Sequence, residues 1–89
     1  MQLYEPLVRR VPWMGKPVLI AKLWTMYRSK RKAHCEVYSH PAGWELRLTG
    51  NHTYPSTRAC EIPEDVLSTQ EKWKATLERD GWGAQPGRI

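Results

Sequence analysis

The residues whose type and spacing could do chemistry are basic: four of the five residues from position 28 to position 32 carry a positive charge. The four are Arg28, Lys30, Arg31 and Lys32. Guanidinium and ammonium groups in such a cluster can contact the phosphates of a nucleic-acid backbone. A solvated loop that aids solubility carries the same residue types, so the cluster alone leaves both interpretations open.

Positive charge is unevenly distributed along the chain of 89 residues. Residues 1–32 carry a net charge of +7 and residues 33–89 a net charge of −2, which together give the +5 of the whole chain. Tyr27 and Tyr38 lie near the basic cluster in the sequence and offer rings on which bases could stack. This asymmetry is compatible with a polyanionic partner.

The sequence contains no glycine-rich phosphate loop and no G-x-S-x-G, H-E-x-x-H or C-x-x-C motif. The set that comes nearest to a metal site is His34, Cys35, His40 and Cys60. Neighbouring residues of a strand point to opposite faces, which opposes joint chelation by His34 and Cys35. We therefore expect no metal, no cofactor and no catalytic activity, and we interpret both cysteines as buried free thiols.

The elements that position these residues follow from the spacing of apolar residues. Apolar runs and alternating residues predict strands at 18–28, 33–39, 43–49 and 54–61. A short turn at 63–67 is expected to lead into a helix at 69–80. The predicted fold class is α+β: an antiparallel meander of about four strands, with one C-terminal helix packed on one face.

The C-terminal end of the predicted helix and the first hairpin carry further structural signals. Gly81 suits the left-handed position after a helix, and Trp82 is then expected to contact Leu77. Trp73 lies on the same helical face as Leu77, so both are predicted to pack on the sheet. Residues 28–32 contain no glycine, which predicts a longer connection between the first two strands.

Three parts are expected along the chain. An extended N-terminal arm at 1–17 contains Pro6, Pro12 and Pro17, a single domain spans 18–82, and a flexible tail follows at 83–89. The start of the chain does not resemble a signal peptide, and its longest aliphatic run is too short to cross a bilayer. We therefore expect a cytoplasmic protein with no membrane partner.

The first predicted strand is apolar on both of its faces, whereas one helix covers only one face of a sheet. The surplus apolar residues form a candidate interface: Trp13, Met14, Val18, Ile20, Trp24 and Met26. Either a partner covers them, in a homodimer or a complex with another protein, or the arm folds back over its own sheet. The sequence leaves these alternatives open.

Several short phrases of the C-terminal half resemble a group of short, uncharacterised bacterial proteins. The phrases are Gly43-Trp44-Glu45-Leu46-Arg47-Leu48, Glu64-Asp65-Val66-Leu67, Trp73-Lys74-Ala75 and Gly81-Trp82. The resemblance covers roughly residues 20–82 and implies no activity, cofactor or site. The sequence thus predicts a small non-enzymatic binding protein that self-associates. A nucleic-acid-binding module that uses the basic cluster is the alternative, and an enzyme with an unrecognised site comes third.

Overall fold

The computed structural model describes residues 12–50 and 56–84, and these residues form one antiparallel sheet and one helix. The strands are β1 (Leu19–Arg28), β2 (Arg31–His40), β3 (Gly43–Gly50) and β4 (Ser56–Cys60), and they lie in the order β1-β2-β3-β4. The helix, α1 (Pro63–Arg79), follows the last strand. The predicted α+β meander is therefore confirmed. Most of the predicted arm, residues 1–11, and of the predicted tail, residues 85–89, lies outside the described residues.

The central strands β2 and β3 owe their orientation to strict alternation. Every second residue of β2, from Ala33 to Ser39, is buried, while the residues between them are partly exposed. Leu46 faces Val37 and Leu48 faces Cys35 across the β2–β3 ladder, so the apolar side chains of both strands share one face. Helix α1 packs on that face, which we call the core face; the opposite side is the open face.

Helix α1 runs without interruption from Pro63, whose missing N–H makes it well suited to a first helical position. The expected division into a turn and a separate helix capped by Ser68 was wrong. Ser68 lies within the helix, and its hydroxyl donates to the carbonyl of Asp65 at 3.4 Å instead of capping an end. Acidic Glu64 and Asp65 in the first turn complement the positive end of the helix dipole.

The C-terminal end of α1 has the predicted geometry. Gly81 adopts a φ of +92°, its N–H donates to Glu78 O at 3.1 Å, and the N–H of Trp82 donates to Leu77 O at 2.9 Å. These are the two hydrogen bonds of a Schellman motif. Trp82 is buried in the same cluster as Leu77 and Met26, so the helix end is fastened to β1.

Strand β1 departs from simple alternation at two bulges. Its register against β2 shifts between Leu19 and Ala21 and again between Lys22 and Trp24. Each shift inserts one extra residue, and the two extra residues, Ile20 and Leu23, also pack against the core. The interpretation of β1 as apolar on two opposite faces was therefore wrong, because bulges turn consecutive apolar residues toward the same side.

The connection between β1 and β2 is shorter than the sequence predicted. Arg28 pairs directly with Arg31, which leaves only Ser29 and Lys30 in the turn. Ser29 adopts a φ of +55°, a left-handed conformation that costs a residue with a Cβ roughly 1–2 kcal/mol. A tight turn without glycine is thus achieved at the expense of local backbone strain.

Candidate nucleic-acid interface

The basic cluster occupies the tip of the β1–β2 hairpin, which we call the basic tip: Arg28, Ser29, Lys30, Arg31 and Lys32. All five residues are exposed. Arg28 and Arg31 are direct cross-strand partners, with Lys30 in the turn between them. The structure therefore brings the four predicted cations together on a hairpin of fixed register.

Alternation divides the cations of the basic tip between the two sides of the sheet. Arg28 lies on the side of the helix, where a Cβ placed on Gly81 would be 3.6 Å from the Arg28 Nε atom. Arg28, Ser29 and Arg31 line a shallow concavity there. Lys32 pairs with Tyr27, and both belong to the open face. Anions can thus reach cations of the basic tip from both sides of the hairpin.

Acidic side chains do not neutralise Arg28, Lys30 or Arg31 in the parts of the chain that the structure describes. The ion pair found there joins Arg47 to Glu45, at 3.1 Å on β3. No described carboxylate lies within ion-pair distance of these three cations. Because like charges directly opposite each other in a ladder are destabilising, the Arg28 and Arg31 pair costs the free protein stability.

The segment after the helix braces the tip from the edge of the sheet. The N–H of Tyr27 donates to Gly83 O at 2.7 Å, and the N–H of Gly83 donates to Tyr27 O at 2.9 Å. Trp82 beside it is buried against Met26. The backbone next to the basic tip is therefore held on one side by β2 and on the other by Trp82 and Gly83.

The open face carries a network of polar side chains. The Glu36 carboxylate accepts hydrogen bonds from Tyr38 at 3.2 Å and from Thr49 at 3.3 Å. The Arg47 guanidinium lies 4.0 Å from the centre of the Tyr38 ring. Partial burial, followed by the charge and hydrogen bond of Glu36, raises the pKa of the Tyr38 hydroxyl, against an opposing effect of Arg47.

Closer to the basic tip, the described residues of the open face include no carboxylate. Thr25 Oγ1 and His34 Nδ1 lie 3.0 Å apart across the β1–β2 ladder, which orients the imidazole ring. Tyr27 lies two residues further along β1, on the same side as Thr25. The sequence placed Tyr27 near the cations, but only the register shows that Tyr27, His34 and Lys32 share one face.

The four residues considered as metal ligands do not converge. Cys35 is buried on the core face and His34 belongs to the open face, as alternation predicts. Burial raises the pKa of the Cys35 thiol to about 12, with a smaller contribution from the charge of Glu36, so this thiol is a poor nucleophile. Within residues 12–50 and 56–84, no three His, Cys, Asp or Glu side chains are placed to hold a metal ion.

The six residues of the candidate interface are separated by the fold. Met26 is only 1% exposed, and Ile20 and Trp24 pack against the core, so these three are occupied within the chain. Trp13, Met14 and Val18 remain exposed by 40%, 72% and 39%. Leu19 is exposed by 50% and belongs with these three residues. The sequence analysis missed it because unbroken alternation places Leu19 on the strand face opposite to Val18.

In the described part of the chain, no helix is long and apolar enough to cross a membrane. Comparison of the whole sequence with models of protein families, with curated proteins and with solved structures finds no match in any of the three. The function of this protein is therefore inferred from the geometry of its site.

Proposed function

We propose that this protein is a non-enzymatic nucleic-acid-binding protein whose basic tip contacts backbone phosphates. The observation that carries the proposal is the direct pairing of Arg28 with Arg31, beside Lys30, with no described carboxylate near enough to neutralise them. A phosphate between two facing guanidinium groups replaces their repulsion with two charge-assisted interactions. The net charge of +5 favours the approach of a polyanion in the same direction.

Binding of this kind is expected to depend little on nucleotide sequence. Phosphate contacts position a protein on its nucleic acid but do not read bases. The described residues form one sheet and one helix and so include no helix-turn-helix pair that could read bases. The affinity is therefore electrostatic and falls steeply with salt.

The test is a salt series of fluorescence-anisotropy titrations with labelled, mixed-sequence nucleic acid. Lys30, Arg31 and Lys32 are replaced together by glutamine, and the expected result is weaker binding, with a salt slope that falls by about 1 for each phosphate the variant no longer touches. The matched control replaces the helix cations Lys72, Lys74 and Arg79 by glutamine, which removes the same charge elsewhere and leaves the slope nearly unchanged. Absence of wild-type binding at roughly 10⁻⁴ M protein overturns the proposal.

A second candidate function is self-association through the exposed apolar residues at the start of β1. It rests on four neighbours in sequence order, Trp13, Met14, Val18 and Leu19, which keep large apolar surfaces in solvent. Sedimentation equilibrium at several protein concentrations tests this candidate. An apolar dimer is insensitive to moderate salt, in contrast to phosphate binding, and a concentration-independent monomer mass would exclude it.

A further inference from the structure

We infer that the nucleic acid is single-stranded and that one of its bases stacks on Tyr27; this rests on the proposed function. We call the surface concerned the stacking face: Tyr27, Lys32, Thr25 and His34, on the open side of β1 and β2. These residues form two cross-strand pairs, Tyr27 with Lys32 and Thr25 with His34. The stacking face continues directly from the basic tip.

The spacing of the stacking face suits one nucleotide at a time. Arg28 and Arg31 lie on the core side of the hairpin, but Tyr27 and Lys32 are cross-strand partners on the open side. Their Cβ atoms are about 5 Å apart, so the ring lies within a nucleotide's length of a tip cation on its own face. The two hydrogen bonds between Tyr27 and Gly83 hold the backbone that carries the ring. A phosphate bound by Lys32 therefore brings the attached base close to a ring that is carried on a firmly held backbone.

The stacking face ends where the open face acquires carboxylates. Beyond His34, the next outward residue of β2 is Glu36, and Glu45 follows on β3. Lys22 lies opposite Glu36, and Arg47 pairs with Glu45 at 3.1 Å and covers the Tyr38 ring at 4.0 Å. These charges balance one another, so this half of the face offers a phosphate no excess of positive charge. Tyr38 is thus engaged within the protein, whereas the half of the face next to the tip combines a ring, an imidazole and a cation.

A duplex fits this arrangement less well than a single strand. The major groove admits a two-stranded ribbon, but here the helix end at Gly81 lies beside Arg28 and thickens the hairpin on its core side. In a duplex the base faces are stacked on each other and cannot reach Tyr27. A single strand offers both its phosphates and its base faces to the same site.

The test compares a labelled single strand of about 12 nucleotides with a duplex of the same sequence, by anisotropy at fixed salt. Wild-type protein is expected to bind the single strand more tightly. Tyr27→Leu is expected to weaken single-strand binding by roughly 5- to 150-fold, the range for removal of one base–ring stack, and to leave duplex binding unchanged. Tyr27→Phe, which keeps the ring, is expected to retain the affinity.

Tyr38→Leu is the matched control, because it removes the same ring from the other half of the open face. It is expected to leave single-strand affinity unchanged, and a loss equal to that of Tyr27→Leu would overturn the inference. Equal affinity for single strand and duplex, with no effect of Tyr27→Leu, would also overturn it while the proposed function stands. Failure to bind either probe would overturn the proposed function itself.

Discussion

The hydrogen bond between Trp24 and Gln70 tests the inward orientation of β1, on which the assignment of its surfaces depends. The indole Nε1 donates to Gln70 Oε1 at 2.7 Å and joins β1 to α1. Gln70 is only 6% exposed, so its amide has little access to water. If Trp24 instead faced a partner, as the sequence suggested, this bond would not contribute to the stability of the free chain.

The magnitude follows from what each substitution leaves behind. Trp24→Phe removes the donor and leaves the buried Gln70 acceptor unpaired, which costs about 1–3 kcal/mol in addition to the reduced packing. Gln70→Met leaves the indole N–H unpaired, at a smaller cost because Trp24 is partly exposed. In the double variant neither polar partner remains. We therefore expect a coupling free energy of about 1–2 kcal/mol between the two positions.

The assay is urea unfolding followed by far-UV circular dichroism, because the substitutions alter tryptophan fluorescence. Trp44→Phe is the control: its Nε1 is buried and has no hydrogen-bond partner among the described residues. This change removes the same part of an indole without breaking a bond, so it should show no coupling to Gln70→Met. If the changes in the free energy of unfolding caused by Trp24→Phe and Gln70→Met are simply additive in the double variant, the inward orientation of Trp24 is refuted.

Three further predictions concern stability. Leu77→Ala should cost about 2–4 kcal/mol because Leu77 is buried between α1 and β1, and an unchanged urea midpoint would show that α1 is not docked there. Gly81→Ala should cost about 1 kcal/mol for its φ of +92°, and Gly43→Ala should cost more because its Cβ would lie 2.7 Å from Cys60 O; the reverse order in urea midpoints would contradict this geometry. The Cys35 thiol has a pKa of 9.0 when unperturbed and about 12 when folded, so only the unfolded chain loses this proton just above pH 9. The free energy of unfolding should therefore fall as the pH rises from about 9 towards 12, and a Cys35→Ala variant with an equally steep pH dependence would exclude Cys35 as the cause.

The fold could be predicted wherever one local rule determines one local structure. The alternation from Ala33 to Ser39 specifies the buried face of β2, and the pair Gly81 and Trp82 specifies the end of α1 through the Schellman motif. Neither signal depends on distant residues. Both could therefore be interpreted from the sequence alone.

The predictions that failed concern residues whose geometry is decided by tertiary packing. The bulges at Ile20 and Leu23 have no signature such as a glycine, and they are stabilised because both side chains gain burial in the core. Ser29 takes its positive φ because the flanking strands are held in register. The same applies to the candidate site. Its cations could be identified in the sequence, but the face on which each cation lies is determined by the strand register, which only the structure shows.

The two deviations in β1 bear on function in opposite directions. The bulges turn Ile20, Trp24 and Met26 inward and so remove half of the apolar surface that had suggested a partner. The tight turn instead supports a binding role for the cations, because it holds Arg28 opposite Arg31. It does so at a cost in both backbone strain and charge repulsion.

A loop that served only solubility would gain nothing from such rigidity, since solvated charges act equally well on a mobile segment. Binding does gain from it, because side chains on a fixed backbone lose less conformational entropy when they bind a ligand. From Trp24 to Arg28 the ladder with β2 has no further register shift, and Trp24 and Met26 anchor it in the core. The most regular part of β1 is thus the part that carries Tyr27 and the basic tip, as expected if this end of the hairpin is the binding element.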